Sequence, residues 1–194
     1  MHFLLRLRHW QLFAITWMAP VAMNVISFND PVLLIKGFPI MMVFFAVGTL
    51  GWIWAIATGL SNQLPDAVKL NVGVFKVLFA IPIFYLLLFL VSSPFLMEDS
   101  ADPIIDGTTM VAIIVPLHLT SMVITLWGVR FAAKTLKSVE LGRKAKFQDY
   151  AGEFFLIWMN FIGFWILQPR INKMVQDDIT TVSNGIEEDE GLNA

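Results

Sequence analysis

The sequence predicts an all-α integral membrane protein: a four-helix bundle with a cytoplasmic amphipathic helix and a short re-entrant or interfacial apolar helix. Composition is the first observation behind this prediction. Of the 194 residues, 57% are hydrophobic and 14% are charged, whereas soluble globular chains have about 25% charged residues. The second observation is that the apolar residues form long runs, each near the length of about 20 residues that crosses a bilayer as a helix.

Four such runs are expected to form a four-span bundle within residues 1–131, and they cover residues 10–28, 37–60, 73–95 and 109–131. The first run follows Arg6, Arg8 and His9, a charge pattern shared with signal peptides. Because the run is long and no small-residue cleavage pattern follows it cleanly, we interpret it as an uncleaved anchor.

The distribution of Lys and Arg predicts the orientation, since cytoplasmic connections hold an excess of them. Arg6 and Arg8 precede the first run, and six basic residues occur at 130–146, after the fourth. The connection at 97–107 has four acidic residues and no basic one. Both termini are therefore expected in the cytoplasm. Lys69 and Lys76 agree with this orientation, and Lys36 is a single charge against it.

Residues 132–170 are expected to form a basic amphipathic helix, running to about Phe147, and then a short apolar helix. The apolar segment Glu153–Gln168 would span only about 24 Å as a straight helix, less than the roughly 30 Å of a hydrocarbon core. Asn160 and Gly163 interrupt it, and basic residues lie on both sides. We therefore prefer a re-entrant or interfacial segment to a fifth span.

The last segment, residues 171–194, is acidic. It has six Asp and Glu residues against Lys173 alone, and few large apolar residues. Such a composition predicts a disordered tail.

The counts also disfavour several functions. A formal charge of −2 argues against nucleic acid as a partner. The absence of cysteine removes thiolate ligands and nucleophiles, and His2, His9 and His118 have no metal-ligand spacing. The sequence contains no recognisable catalytic motif. We therefore expect no enzymatic activity, no cofactor and no metal.

His118 is the ionisable residue nearest the middle of a predicted span, which makes it a candidate for function. If the third and fourth spans form a hairpin, Tyr85 lies at a similar depth, and its hydroxyl can hydrogen-bond the imidazole. Thr120 and Ser121 complete this candidate polar site. The alternative interpretation, which we favour, is a neutral histidine that joins two helices.

Two further surfaces stand out in the sequence. Small residues recur every four positions at Gly51, Ala55 and Gly59, where they either mediate homo-oligomerisation or, as we favour, pack within the bundle. A candidate surface for a protein partner or for anionic membrane lipid consists of basic residues, namely Lys134, Lys137, Arg143, Lys144 and Lys146.

Residues 130–172, most distinctively Thr135–Leu141, Tyr150–Trp158 and Gln168–Asn172, resemble the carboxy-terminal part of uncharacterised polytopic membrane proteins of Bacteroidetes-type bacteria. Relatives often have a proline before the Ile162–Gly163 pair, where this chain has Asn160–Phe161. The resemblance implies the bacterial inner membrane and transfers no activity.

By exclusion, the expected function is that of a non-enzymatic scaffold, assembly factor or regulatory subunit whose working surface is cytoplasmic. The alternative is a transport or lipid-handling protein with its polar centre around His118.

Overall fold

The computed structural model of the chain describes residues 3–65, 67–96 and 107–192. All regular secondary structure in these ranges is helical. In chain order it comprises α1 (Phe3–Arg6), α2 (His9–Phe13), a π-helical turn (Ala14–Met18), α3 (Ala19–Ile26), α4 (Pro31–Gly59), a 3₁₀ turn (Leu60–Gln63), α5 (Val72–Leu96), α6 (Gly107–Leu141), α7 (Phe147–Trp158) and α8 (Asn160–Leu192). The acidic residues of the predicted outer connection, at 98–106, lie outside the described residues.

Three helical stretches are long and apolar enough to cross a membrane, and they cover Val32–Gln63, Val72–Ser92 and Val111–Leu141. They match the predicted runs at 37–60, 73–95 and 109–131. Many of their apolar side chains are exposed, including Phe84, Val91 and Val123. An all-helical membrane protein is therefore confirmed for the described residues.

The first predicted run, 10–28, is not one regular helix. α2, the π-helical turn and α3 follow one another without a gap from His9 to Ile26. Pro20 has no N–H to donate to the carbonyl of Thr16, four residues earlier, and the Thr16 hydroxyl donates to the Leu12 carbonyl at 2.8 Å. These local effects explain why the α-helical hydrogen-bond pattern changes register here.

This segment packs closely against α4. Thr16 is fully buried against Gly48, where a Cβ would overlap the threonine hydroxyl. The sequence pattern pointed instead to Gly51, Ala55 and Gly59. Of these, Gly51 faces Leu4 and Ala55 is buried in the core of the same chain. The close approach of the two helices thus takes place at Gly48, which the pattern missed.

α6 continues without a break beyond its apolar part, but it stops at Leu141, earlier than the expected end near Phe147. Gly142 has a φ of 60°, a left-handed conformation that ends the helix at little steric cost. α7 then begins after Lys146, whose N–H donates to the Asp149 carboxylate at 2.8 Å. The predicted basic helix is therefore the end of α6 itself.

The apolar segment Glu153–Gln168 forms a helical hairpin. α7 ends at Trp158 and α8 begins at Asn160, and the chain reverses there, since Arg170 of α8 pairs with Glu153 of α7 at 3.1 Å. Gly163 lies so close to the Leu156 carbonyl that a Cβ would overlap it. α8 is helical to Leu192, through most of the segment for which the sequence predicts disorder. Ile171, at the start of that segment, is fully buried.

An aromatic cluster lies where α4, α5 and α6 meet, toward the end of α4 and the start of α5. Phe75 stacks on Phe131 with ring centroids 4.8 Å apart and on Phe79 at 5.0 Å. Trp52 contacts Phe164 of α8 at 4.7 Å. This aromatic core connects the apolar helices to the segment formed by α7 and the first part of α8.

Candidate functional site

The end of α6 from Arg130 onward, together with α7 and α8 as far as Asp177, forms a surface that we call the α6–α8 platform. Four charged side chains join its three helices. Lys137 of α6 donates to Glu140 and to Glu153 of α7, at 3.0 Å in each case. Arg170 of α8 donates to Glu153 at 3.1 Å and to Glu140 at 2.7 Å. The two positive and two negative groups balance one another.

Glu153 is the most enclosed member of this ionic network, with 7% of the residue exposed. Burial alone raises the pKa of its carboxyl. Hydrogen bonds from Lys137, from the backbone and from Arg170 outweigh burial, so the pKa of Glu153 lies below its ordinary value. The carboxylate is therefore held in its charged form between two cations.

Acid is expected to weaken the docking of α7 through this residue. Because the pKa of Glu153 is depressed in the folded state, its stabilising contribution is present above the unfolded value of about 4.3 and is lost as pH falls through the folded pKa. We expect Glu153→Gln to reduce the loss of stability that occurs as the pH falls below about 4.3. Chemical unfolding in detergent micelles at several pH values measures this slope. Parallel pH profiles for the two proteins would contradict the expectation.

The basic side chains predicted as a partner surface divide into two groups. Lys137 belongs to the ionic network, and Arg143 pairs with Asp149 at 2.9 Å. Lys134, Lys144 and Lys146 form no ion pair with the carboxylates of the described residues. The positive charge available to a partner is thus smaller than the sequence suggests.

A buried polar contact attaches the platform to the amino-terminal end of the chain. The Gln168 side chain, fully buried, accepts from the Trp52 indole at 2.8 Å. Its amide nitrogen faces the carbonyls of α1 and the residue after it, those of Leu4, Leu5 and Leu7, at 3.2, 3.1 and 2.8 Å. Asn172 also donates to the Leu7 carbonyl, at 3.1 Å. These contacts satisfy carbonyls that the short helix α1 leaves free.

A second polar contact holds the turn between α7 and α8. Asn160, which is 5% exposed, accepts from the Trp17 indole at 3.2 Å and donates to the Thr49 hydroxyl at 2.7 Å. Trp17 lies in the π-helical turn and Thr49 in α4. The start of α8 is therefore held between two helices that the sequence assigns to the membrane.

The predicted hydrogen bond between Tyr85 and His118 is confirmed, with the hydroxyl 3.0 Å from Nδ1. The other two residues of that candidate site do not join it. Thr120 is exposed and donates to the Pro116 carbonyl, whereas Ser121 is buried. His118 lies on the exposed surface of α6. The structure thus brings together a pair of residues rather than a polar centre of four.

The ionic network and the two amide contacts were not identified from the sequence. A usable signal exists, however, in the apolar segment that carries them. Glu153, Asn160 and Gln168 are its only residues with charged or amide side chains, at spacings of seven and eight. Each of the three bonds to another helix. Polar residues at regular spacing in an apolar run indicate contacts across helices.

Comparison with known proteins adds no relative, since no protein-family model, curated protein or solved structure matches this chain. The resemblance of residues 130–172 to bacterial membrane proteins therefore stays a prediction. Any functional conclusion depends on the geometry described above.

Proposed function

We propose that this protein is a non-enzymatic membrane scaffold, acting as an assembly factor or regulatory subunit, and that it presents the α6–α8 platform to a protein partner in the cytoplasm. The ionic network of Lys137, Glu140, Glu153 and Arg170 is the observation that carries the proposal. It fixes three helices relative to one another before any partner binds. A preorganised surface avoids the entropic cost of ordering during association.

The surface left on this platform favours an acidic partner. Lys144 and Lys146 are exposed, and Lys134 is partly buried, close enough to Lys144 for the two charges to interact. Phe147, next to Lys146, is also exposed, at 57%. Positive charge beside an exposed aromatic ring is a combination typical of interaction surfaces.

The proposal includes a membrane arrangement. The segment from α2 to α3, which comes first in the chain, is a membrane span in addition to those of α4, α5 and α6. Both termini lie in the cytoplasm, and the membrane is the bacterial inner membrane. The hairpin of α7 and α8 is re-entrant. It is supported by the contact of Asn160 with Trp17 and Thr49 inside the bundle, and by the return of Gln168 to the amino-terminal end. Trp158 and Met159 at its turn are exposed and apolar, as lipid contact requires.

Transport centred on His118 receives no comparable support. The Tyr85 hydroxyl and Nδ1 of the imidazole form a hydrogen bond between α5 and α6. Such a pair joins two membrane helices at a gain of about 1 kcal/mol. The scaffold function is therefore the one that the geometry favours.

Cysteine chemistry tests both parts of the proposal, because the chain has no cysteine of its own. In native membranes, Lys144→Cys is expected to react with a membrane-impermeant maleimide only from the cytoplasmic side. Met159→Cys is expected to stay protected from both sides, and Lys36→Cys to react from the outer side. Reaction of Met159→Cys from the outer side would show that the hairpin crosses the membrane, which would overturn the re-entrant arrangement.

The partner is tested by crosslinking from Gln148→Cys, an exposed position on α7. We expect one discrete protein adduct, reduced about tenfold when Lys134, Lys144 and Lys146 are replaced by serine, since three charges at the surface each contribute roughly 0.5 kcal/mol. Replacement of Lys36, Lys69 and Lys76 by serine is the matched control and should leave the adduct unchanged, because these three exposed lysines lie outside the platform. Recovery of lipid alone, or an adduct insensitive to the triple replacement, would overturn the scaffold function.

A further inference from the structure

A cavity of about 880 Å³ opens where α4 ends and α5 begins. Two lysines line it, Lys69 in the connection and Lys76 on the first turns of α5, together with Asn62, Thr58 and Trp54. Both lysines are exposed, and neither forms an ion pair with a carboxylate of the described residues. Within the part of the chain that the structure describes, both cations are therefore available to one anionic group.

A second, apolar groove lies between the same two helices, with a volume of about 220 Å³. Its walls are aliphatic and come from Ala46, Val47 and Leu50 of α4 and from Ile83 and Leu87 of α5, among others. Leu4 of the amino-terminal helix lies at the groove as well. Nothing in this lining can hydrogen-bond a polar ligand through its side chain.

The cavity and the groove follow one seam. On α4, positions 43, 47, 50, 54 and 58 recur every three or four residues, so they share one helix face. On α5, Lys76, Ile83, Leu87 and Leu90 follow one another at intervals of seven, four and three positions, which also places them on one helix face. Lys76 and Leu90 are separated by 14 positions, which corresponds to about 21 Å along a helix. One leaflet of hydrocarbon is about 15 Å deep, half of the roughly 30 Å core. The seam is therefore long enough to extend from the membrane surface through one leaflet.

We propose that this seam binds an anionic phospholipid, with its phosphate between Lys69 and Lys76 and one acyl chain in the groove between α4 and α5. The order of chemistry along the seam matches that of the lipid, with cations first, the Trp54 ring next and an aliphatic channel beyond. Tryptophan favours the headgroup level of a bilayer, which places the cavity at the membrane surface. Basic pockets between membrane helices on the cytoplasmic side are suited to anionic headgroups.

This site is distinct from the α6–α8 platform and from the Tyr85–His118 pair, since it shares no residue with either. It needs the membrane location of α4 and α5 but not the scaffold function. Failure of the partner crosslinking would therefore leave the lipid site standing, and failure of the lipid site would leave the scaffold function standing.

Native mass spectrometry of the purified full chain with phosphatidylglycerol or phosphatidylcholine tests the proposal. We expect one retained phosphatidylglycerol, and its affinity is expected to fall about 30-fold in Lys69→Ser/Lys76→Ser, given the contribution of each nearby cation. The matched control Lys36→Ser/Lys173→Ser should change retention less than about threefold, since neither lysine lines the seam. Equal loss in the two double variants, or equal retention of phosphatidylcholine by the wild type, would overturn the site.

A second variant separates a lipid from a free anion. Ala46→Phe fills the groove but leaves both lysines in place, so it is expected to lower phosphatidylglycerol retention about tenfold. Ala22→Phe, at an exposed position on α3, is its control and should have no effect. Unchanged retention in Ala46→Phe, with inorganic phosphate displacing the lipid at equal concentration, would show that the cavity binds a free anion and would overturn the phospholipid assignment. Circular dichroism confirms that each variant is folded.

Discussion

Replacing Gln168 by leucine is expected to destabilise the protein by about 4 kcal/mol and to release its amino-terminal helix. The substitution leaves the Trp52 indole without its acceptor and removes the amide that reaches the carbonyls of Leu4 and Leu5. All of these contacts are buried, and each unsatisfied buried group costs about 1–3 kcal/mol. Leu7 keeps its bond from Asn172, so the loss is not complete.

Two measurements distinguish release of α1 from a general loss of packing. The free energy of unfolding in detergent micelles gives the size of the effect, and hydrogen exchange at residues 3–8 gives its location. Gln148→Leu is the matched control, because Gln148 is exposed on α7 and the same replacement there should cost less than about 0.5 kcal/mol. Equal effects of the two substitutions, or unchanged exchange at residues 3–8 in Gln168→Leu, would contradict the role assigned to Gln168.

The contact of Gln168 also shows where inference from sequence stops. Its partners Leu4 and Leu5 lie 164 and 163 positions away, so no local pattern points to them. The long apolar helices were predictable because a bilayer imposes a length of about 20 apolar residues on any helical span. The Tyr85–His118 bond was predictable for a similar reason, since a hairpin of two such spans fixes the relative depth of its residues.

What the sequence prediction missed has a cause that can be named, either in the local sequence or in contacts between distant parts of the chain. The register change near Thr16 follows from Pro20, a local effect that hydropathy does not record. Ile171 is buried and Asn172 donates to the Leu7 carbonyl, so the start of the acidic segment packs against the rest of the chain. Composition, on which the prediction of a disordered tail rests, cannot represent contacts of this kind.

The ionic network was missed for another reason. The sequence places Lys137 on a solvent-facing surface, because basic residues after a membrane span usually lie in water. Glu153 and Arg170 lie 16 and 33 positions further along the chain than Lys137. The turn between α6 and α7 brings Glu153 to Lys137, and the reversal between α7 and α8 brings Arg170 to Glu140 and Glu153. When a segment contains both basic and acidic residues, pairing among those side chains should therefore be considered before the basic ones are assigned to a binding partner.

Replacing Gly163 by alanine is expected to destabilise the protein by about 3 kcal/mol, although alanine ordinarily stabilises a helix relative to glycine by about 1 kcal/mol. The added Cβ would overlap the carbonyl oxygen and carbon of Leu156. These are backbone atoms, so no side-chain rotation relieves the overlap, and the turn between α7 and α8 must open. Opening the turn draws Asn160 away from Trp17 and Thr49 and strains the ionic network through Glu153.

Gly152 provides the control for this prediction, because it is exposed on α7 and an added Cβ there would meet nothing within 4 Å. Gly152→Ala is therefore expected to be neutral or stabilising by up to about 1 kcal/mol. Unfolding in detergent micelles, followed by tryptophan fluorescence, measures both variants. Because Trp17 donates to Asn160, its fluorescence is also expected to change in folded Gly163→Ala and not in Gly152→Ala. Similar stability in the two alanine variants would show that the turn can relax without cost, and the hairpin would then not be held in place by its close backbone contact.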